Sequence, residues 1–108
     1  MSNELGALVV FATVPDQNLG VKIAESLLQQ RLAACVHLLP AGRSIYRWQG
    51  NIENTTEITM LIKTTTARYA ELEATIKRLH PFEVPEVLAF PASQVLPSYF
   101  DWILRETS

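Results

Sequence analysis

The chain of 108 residues suits one domain over 1–108, and its 48% hydrophobic and 19% charged residues are the balance of a soluble globular protein rather than a disordered one. A net charge of −2 without a basic run gives no electrostatic footprint for nucleic acid or for an anionic membrane. The longest apolar run, residues 7–14, is too short to span a bilayer and lacks the positive start of a secretory signal. A single cysteine suits a reducing compartment, so we expect a cytoplasmic protein.

The first third of the chain predicts a strand, a helix and a second strand. Residues 7–14 are apolar and β-branched throughout, which is typical of a strand covered on both faces. Asp16 is placed to cap a helix over 19–32, where apolar residues recur at helical spacing. Residues 34–39 predict a second strand, which Pro40 breaks.

The rest of the chain predicts a long hairpin, a second helix, a short strand and a terminal helix. The hairpin has arms over 44–49 and 52–64, with a turn at 50–51 where glycine precedes asparagine. Threonines at 64–66 can cap the second helix, whose inward stripe consists of Tyr69, Leu72, Ile76 and Leu79. A fourth strand is predicted over 84–90, and Pro97 opens the terminal helix.

The order of these elements predicts the fold class. The order β-α-β-β-α-β is that of an α+β, ferredoxin-like split βαβ domain, to which the C-terminal helix is added. The return arm of the central hairpin would span roughly 45 Å at ~3.3 Å per residue, more than a small domain covers by itself. Tyr46 and Trp48 lie near its tip, which favours an interface between copies. We therefore expect an oligomer, with a monomer whose hairpin tip is frayed as the alternative.

With the elements in this order, the chain closely resembles the CutA family of divalent-cation tolerance proteins. The stretches that carry the resemblance are VVFATVPD at 9–16, RLAACVHLLP at 31–40, SIYRWQGNIE at 44–53, EITMLIKTT at 57–65, HPFEVPEVL at 80–88 and YFDWI at 99–103. The resemblance implies a homotrimer, similar in architecture to the PII signalling proteins, whose long strands pair across subunit boundaries. It also implies binding of divalent metal, copper in particular, and a part in metal tolerance without an established reaction.

Copper ligation in bacterial members of that family uses a first-strand cysteine and a pair of histidines before a proline, and this sequence departs from both. The cysteine position is Ala12, and the pair is Leu79 and His80. A soft thiolate and a second imidazole would supply much of the preference for copper, so their absence leaves His80 as one possible ligand. The alternative is that His80 only ends the second helix, because a residue before proline leaves the helical region.

Cys35 is a second candidate metal ligand. It lies two residues before His37 on a predicted strand, so the two side chains share a face and could reach one metal if a neighbouring strand supplied a third ligand. The alternative is that Cys35 is a small buried hydrophobe, as free cysteines usually are.

Glu86 is the third candidate ligand. If the fourth strand starts by Glu83, the two glutamates lie on opposite faces and cannot share a site. Glu86 is then closer to the histidine turn, and Lys63 is its expected partner across a cleft between subunits. Glu57, Tyr46 and Trp48 could line the same cleft, although charges at strand ends are often only solvated.

No familiar catalytic signature occurs in the chain, so we do not expect an enzyme. There is no glycine-rich phosphate loop, zinc spacing or nucleophile elbow. The leading hypothesis is a homotrimer that binds divalent metal, such as Cu²⁺, weakly at inter-subunit clefts through His80, Glu86 and Cys35, with no obligatory cofactor. The alternative is a PII-like signalling module that binds a small anionic metabolite.

Overall fold

A computed structural model describes residues 6–108, which form five strands and three helices. In chain order these are β1 (Ala7–Val14), α1 (Gln17–Gln29), β2 (Cys35–Leu38), β3 (Gly42–Trp48), β4 (Asn51–Thr65), α2 (Thr66–Leu79), β5 (Val87–Pro91) and α3 (Pro97–Glu106). This order and the all-antiparallel sheet confirm the predicted α+β fold. No helix of the described residues is long and apolar enough to cross a membrane.

The sheet has the strand order β2-β4-β1-β5, and β3 continues along β4 beyond the end of β2. Leu38 is paired with Met60, while Gly42 is paired with Glu57. The chain therefore takes four steps on one side of the ladder against three on the other, which is a β-bulge at residues 39–41. Pro40 lies in the bulge, where a residue without an N–H donor is tolerated. Strands β2 and β3 thus form one bent arm of a long hairpin with β4.

The hydrophobic core lies between one face of the sheet and the helices α1 and α2. Alternate residues of β1 and β4 point into it, and Ile23, Leu27, Leu72 and Ile76 cover them from the helices; all four are fully buried. The sheet residues of this layer are Val10, Ala12, Val14, Ile58, Met60 and Ile62. Each fully buried Leu, Ile or Val of this kind contributes roughly 1.5–3 kcal/mol.

The opposite face of the sheet, which we call the open face, carries several large apolar side chains that are only partly covered. Phe11 and Phe90 pack edge to face there with ring centroids 5.5 Å apart, and Phe90 is still 50% exposed. Leu88 is register partner of Phe11 and is 42% exposed. On this face of β1, Ala7 and Thr13 are buried and Val9 and Phe11 are half-buried, so the prediction that β1 is covered on both faces holds only in part within a single chain.

The ends of the helices follow local rules, with one exception. Asp16 accepts a hydrogen bond from the Leu19 N–H at 2.9 Å, as predicted for a capping residue. The N-cap residue of α2 is Thr65, one of the predicted threonines, but it makes no side-chain capping bond, and Thr64 donates to the Leu32 carbonyl at 2.6 Å. At the other end of α2, His80 is extended, with ψ of 137°, as a residue before proline must be.

Two predicted boundaries need correction. The hairpin turns one residue earlier than predicted, since Gln49 and Gly50 carry the positive φ angles of 49° and 86°. Strand β5 begins at Val87 instead of 84, because Pro85 has no N–H for a ladder and restricts the residue before it. Residues 80–86 therefore form a loop, which we call the 80–86 loop.

Candidate functional site

A cavity of about 490 Å³ lies between the β3–β4 hairpin and the 80–86 loop. One wall comes from the hairpin, through Ser44, Tyr46, Trp48 and Glu57, and the other from the loop. The loop side chains are Pro81, Phe82, Glu83, Val84 and Glu86, and Thr13 from the end of β1 completes the lining. Its size is that of a site for a small molecule rather than for a bare ion.

The hairpin wall follows from the alternation of side chains along a strand. Ser44, Tyr46 and Trp48 are two residues apart and lie on one face of β3. Glu57 is paired with Gly42, so its side chain lies on this same face. Tyr46 and Trp48 are 40% and 38% exposed, which leaves part of each ring accessible from the cavity.

The loop wall is fixed to the sheet by His80. This side chain is 7% exposed, and its Nε2 lies 2.7 Å from the carbonyl oxygen of Thr13. Its Nδ1 accepts a hydrogen bond from the backbone N–H of Phe82 at 3.2 Å. Because Nδ1 is an acceptor, the ring proton is on Nε2, which donates to Thr13. His80 therefore joins the start of the loop to the end of β1 as a neutral imidazole with both nitrogens hydrogen-bonded.

The cavity is acidic. Glu57, Glu83 and Glu86 line it, and its lining contains no lysine, arginine or histidine. The ion pairs found among residues 6–108 are Arg31–Glu106 and Arg68–Glu71, and neither pair is at the cavity. An uncompensated negative charge beside aromatic rings attracts cations and repels anions.

Glu83 and Glu86 share this site, contrary to the prediction. They were expected on opposite faces of a strand, but both precede β5 and both line the cavity. The contributions of Phe82, Glu83 and Thr13 were missed for the same reason, since a strand beginning at 84 would leave no loop wall. Pro85 was the signal that could have placed the start of the strand later.

Cys35 and Lys63 lie next to each other, outside the cavity. They are register partners at the start of β2 and the end of β4, and the Lys63 Nζ donates to the Cys35 Sγ at 3.8 Å. Lys63 is six residues from Glu57 along β4, or about 20 Å, and does not line the cavity. Tyr99 of α3 is close by, and its pKa is raised first by burial and then by the Cys35 thiolate charge.

His37 shares the open face with Cys35, as expected from their spacing, since it is paired with Leu61. The structure thus brings together the predicted cleft residues Tyr46, Trp48, Glu57 and Glu86, and separates them from Cys35 and Lys63.

Within residues 6–108, no three histidine, cysteine, aspartate or glutamate side chains converge on a point that could hold a metal ion. The expected ligands His80, Glu86 and Cys35 therefore do not form one site in a single chain. The two positions at which the sequence departs from the copper-binding pattern are also away from the cavity. Ala12 is fully buried in the helix-facing core, and Leu79 packs against the same core.

Comparison with known proteins identifies the family. The sequence profile described as CutA1 divalent ion tolerance protein matches residues 8–106. The divalent-cation tolerance protein CutA of Thermus thermophilus is 42% identical over 99 residues, which are 92% of this chain and 96% of that protein.

Solved structures agree with this match. The crystal structure of CutA from Xylella fastidiosa has a TM-score of 0.93 at 42% identity, covering 95% of this chain and 99% of the other. A periplasmic divalent cation tolerance protein CutA from Archaeoglobus fulgidus has a TM-score of 0.92 at 31% identity, covering 94% and 99%. The chain therefore belongs to the CutA1 family of divalent ion tolerance proteins.

Proposed function

We propose that this chain is a cytoplasmic, non-enzymatic protein of divalent-cation tolerance, which assembles as a homotrimer and binds divalent metal weakly at clefts between subunits. The observation that carries the proposal is the cavity between the hairpin and the 80–86 loop, where Glu57, Glu83 and Glu86 have no salt-bridge partner among residues 6–108. Its negative charge favours a cation, and a loosely grouped set of carboxylates suits weak binding.

The donor set determines which metal chemistry fits. Carboxylate oxygens suit a cation that keeps several of its waters and is held by one or two carboxylates, as Mg²⁺ often is. The thiolate and imidazole that select copper are not on the cavity. Because no three such ligands converge within residues 6–108, a second subunit or bound water must complete the coordination sphere.

Glu86 is the ligand on which this proposal rests, and the other two expected ligands would have to rearrange. Metal at His80 Nδ1 would break the hydrogen bond from the Phe82 N–H. Metal at Cys35 would displace the Lys63 ammonium from the sulfur and would form a separate site. Cu²⁺ binding through these residues would therefore be weak.

The homotrimer is supported by apolar surface that a single chain leaves uncovered. On the hairpin, Ile45 and Ile52 are 67% and 63% exposed, and on the open face Leu88 and Phe90 are 42% and 50% exposed. Patches of this kind mark interfaces between protein chains. The long β4 also offers backbone groups for pairing beyond the body of the domain.

Isothermal titration with Mn²⁺ and with Cu²⁺ tests the metal site. We expect saturable, weak binding that Glu86→Gln and Glu57→Gln weaken. The matched control is Glu71→Gln on α2, which removes a glutamate paired with Arg68 far from the cavity and should change nothing. The proposal fails if neither metal binds saturably, or if the two cavity variants bind like the control. Loss of Cu²⁺ binding in His80→Ala alone, with Mn²⁺ binding kept, would return His80 to the ligand set.

The charge of the cavity also separates this proposal from a PII-like module for an anionic metabolite. An anion would have to enter beside three glutamates, and Lys63, the expected cationic partner, lies beside Cys35 instead. Native mass spectrometry of protein taken from cells distinguishes the two functions, because a retained organic anion would contradict the proposed cation site.

A further inference from the structure

The cavity between the hairpin and the 80–86 loop has features that a metal ion does not use. A divalent cation that keeps several of its waters uses only one or two carboxylates, and no three acidic, cysteine or histidine side chains converge in residues 6–108 to hold a less hydrated one. The volume of about 490 Å³ is within the range of sites for small organic molecules. Three aromatic side chains line it, namely Tyr46, Trp48 and Phe82.

Carboxylates on a surface are by themselves only a solvated acidic patch. Here they share one concave cavity with aromatic rings, and the two kinds of group favour the same ligand charge. The face of an aromatic ring attracts a cation through its quadrupole, most strongly for tryptophan. Trp48 and Tyr46 come from one wall, and Phe82 from the other, so a bound molecule would have rings on both sides of it.

We propose that this cavity is a binding site for a small organic cation, a positively charged alkylated ammonium group held between the aromatic walls, with Glu57 and Glu86 supplying the opposite charge. This site does not depend on the proposed metal binding, since alkylammonium groups need no coordinating ligands. The ligand class follows from three properties together: a volume larger than an ion, aromatic walls, and three carboxylates without a salt-bridge partner among the described residues.

His80 has a defined part in this site although it does not touch the cavity. Its hydrogen bonds to Thr13 and to Phe82 hold the start of the loop wall against the end of β1. The His80 and Phe82 rings are also in contact, with centroids 4.7 Å apart. This contact and the hydrogen bond to the Phe82 N–H hold Phe82 in place, which favours a preformed cavity.

Ligand-observed NMR with tetramethylammonium chloride tests the inference on the unmodified protein. Saturation transfer from the protein to the methyl protons should be saturable. It should also be much stronger than for tert-butyl alcohol, a neutral molecule of similar size and shape. Absence of transfer to tetramethylammonium, or equal transfer to both molecules, overturns the inference.

Two pairs of variants then locate the site. Trp48→Leu should weaken tetramethylammonium binding roughly two- to thirtyfold, the range that a cation–π contact of 0.5–2 kcal/mol gives. Its control is Trp102→Leu, which removes the other tryptophan from its stack on Tyr99 in α3. Glu57→Gln should weaken binding, and Glu71→Gln should leave it unchanged. Equal affinities within each pair would overturn the assignment. If Trp48→Leu fails to assemble, the glutamate pair and the neutral molecule still decide the question.

A Mn²⁺ titration of the same samples keeps the two proposals apart. Mn²⁺ binding that depends on Glu57, with no tetramethylammonium binding, overturns the organic-cation site and leaves the proposed metal function intact. Tetramethylammonium binding that depends on Trp48 and Glu57, with no Mn²⁺ or Cu²⁺ binding, supports the organic-cation site and overturns the metal function.

Discussion

Replacing His80 by alanine should destabilise the fold far more than a histidine substitution elsewhere, because this imidazole is a buried structural bridge. The substitution removes the hydrogen bond to the Thr13 carbonyl and the one from the Phe82 N–H. Each bond contributes about 1 kcal/mol net, and a buried carbonyl left without a partner costs about 1–3 kcal/mol. We therefore expect a loss of about 2–4 kcal/mol in the free energy of unfolding.

The matched control is His37→Ala, which changes the other histidine of the chain at an exposed position on β2. Surface substitutions of this kind usually change stability by no more than about 0.5 kcal/mol. Urea unfolding at one fixed protein concentration gives the comparison, since assembly and folding are linked. Hydrogen exchange adds a local readout, because the Phe82 amide should lose protection in His80→Ala. Equal unfolding midpoints for the two variants would refute the bridging role.

Three further predictions concern the interface, a helix end and a titration. Trp48→Ala should shift the proposed trimer toward smaller species, because aromatic residues dominate the energetics of interfaces; an unchanged sedimentation profile on dilution would contradict this. Asp16→Ala should lower the free energy of unfolding by about 1 kcal/mol through loss of the α1 cap, and Asp16→Asn should restore most of it. The pKa of the Tyr69 phenol should be raised above its usual 10.0, first because of burial and then because of its hydrogen bond to Glu73. In Glu73→Gln, the pKa measured by ultraviolet absorbance should be raised less. Because folding raises this pKa, the associated stability is present below the usual value and lost as pH rises through the raised one.

Much of the fold could be predicted because its signals are local. Alternation along β4 and helical spacing in α1 and α2 are carried by residues close in sequence, and these elements lie near their predicted bounds. The hairpin wall of the cavity was accessible for the same reason. Tyr46 and Trp48 share a face by spacing alone.

The loop wall could not be predicted because it depends on contacts between distant residues. His80 looked like a helix stop or a metal ligand, and its local conformation does end α2. The sequence does not show that its Nε2 is hydrogen-bonded to the Thr13 carbonyl, because Thr13 is 67 residues away in the chain. The prediction that Glu83 and Glu86 lie apart was wrong for a local reason, since β5 begins only after Pro85. A boundary error of three residues was enough to separate two side chains that line one cavity.

The β-bulge at residues 39–41 controls which side chains the cavity receives. In β2, odd-numbered residues such as Cys35 face the same side as Lys63, whereas in β3 it is the even-numbered residues that face the side of Glu57. The one extra residue therefore reverses which residues, odd-numbered or even-numbered, point to a given face of the sheet. If the ladder continued from the Leu38–Met60 pair without the bulge, Gly42 would be paired with Thr56 and every β3 side chain would turn to the opposite face. Arg43, Ile45 and Arg47 would then face the side of Glu57 in place of Ser44, Tyr46 and Trp48, so that the same sequence would give a basic wall instead of an aromatic one.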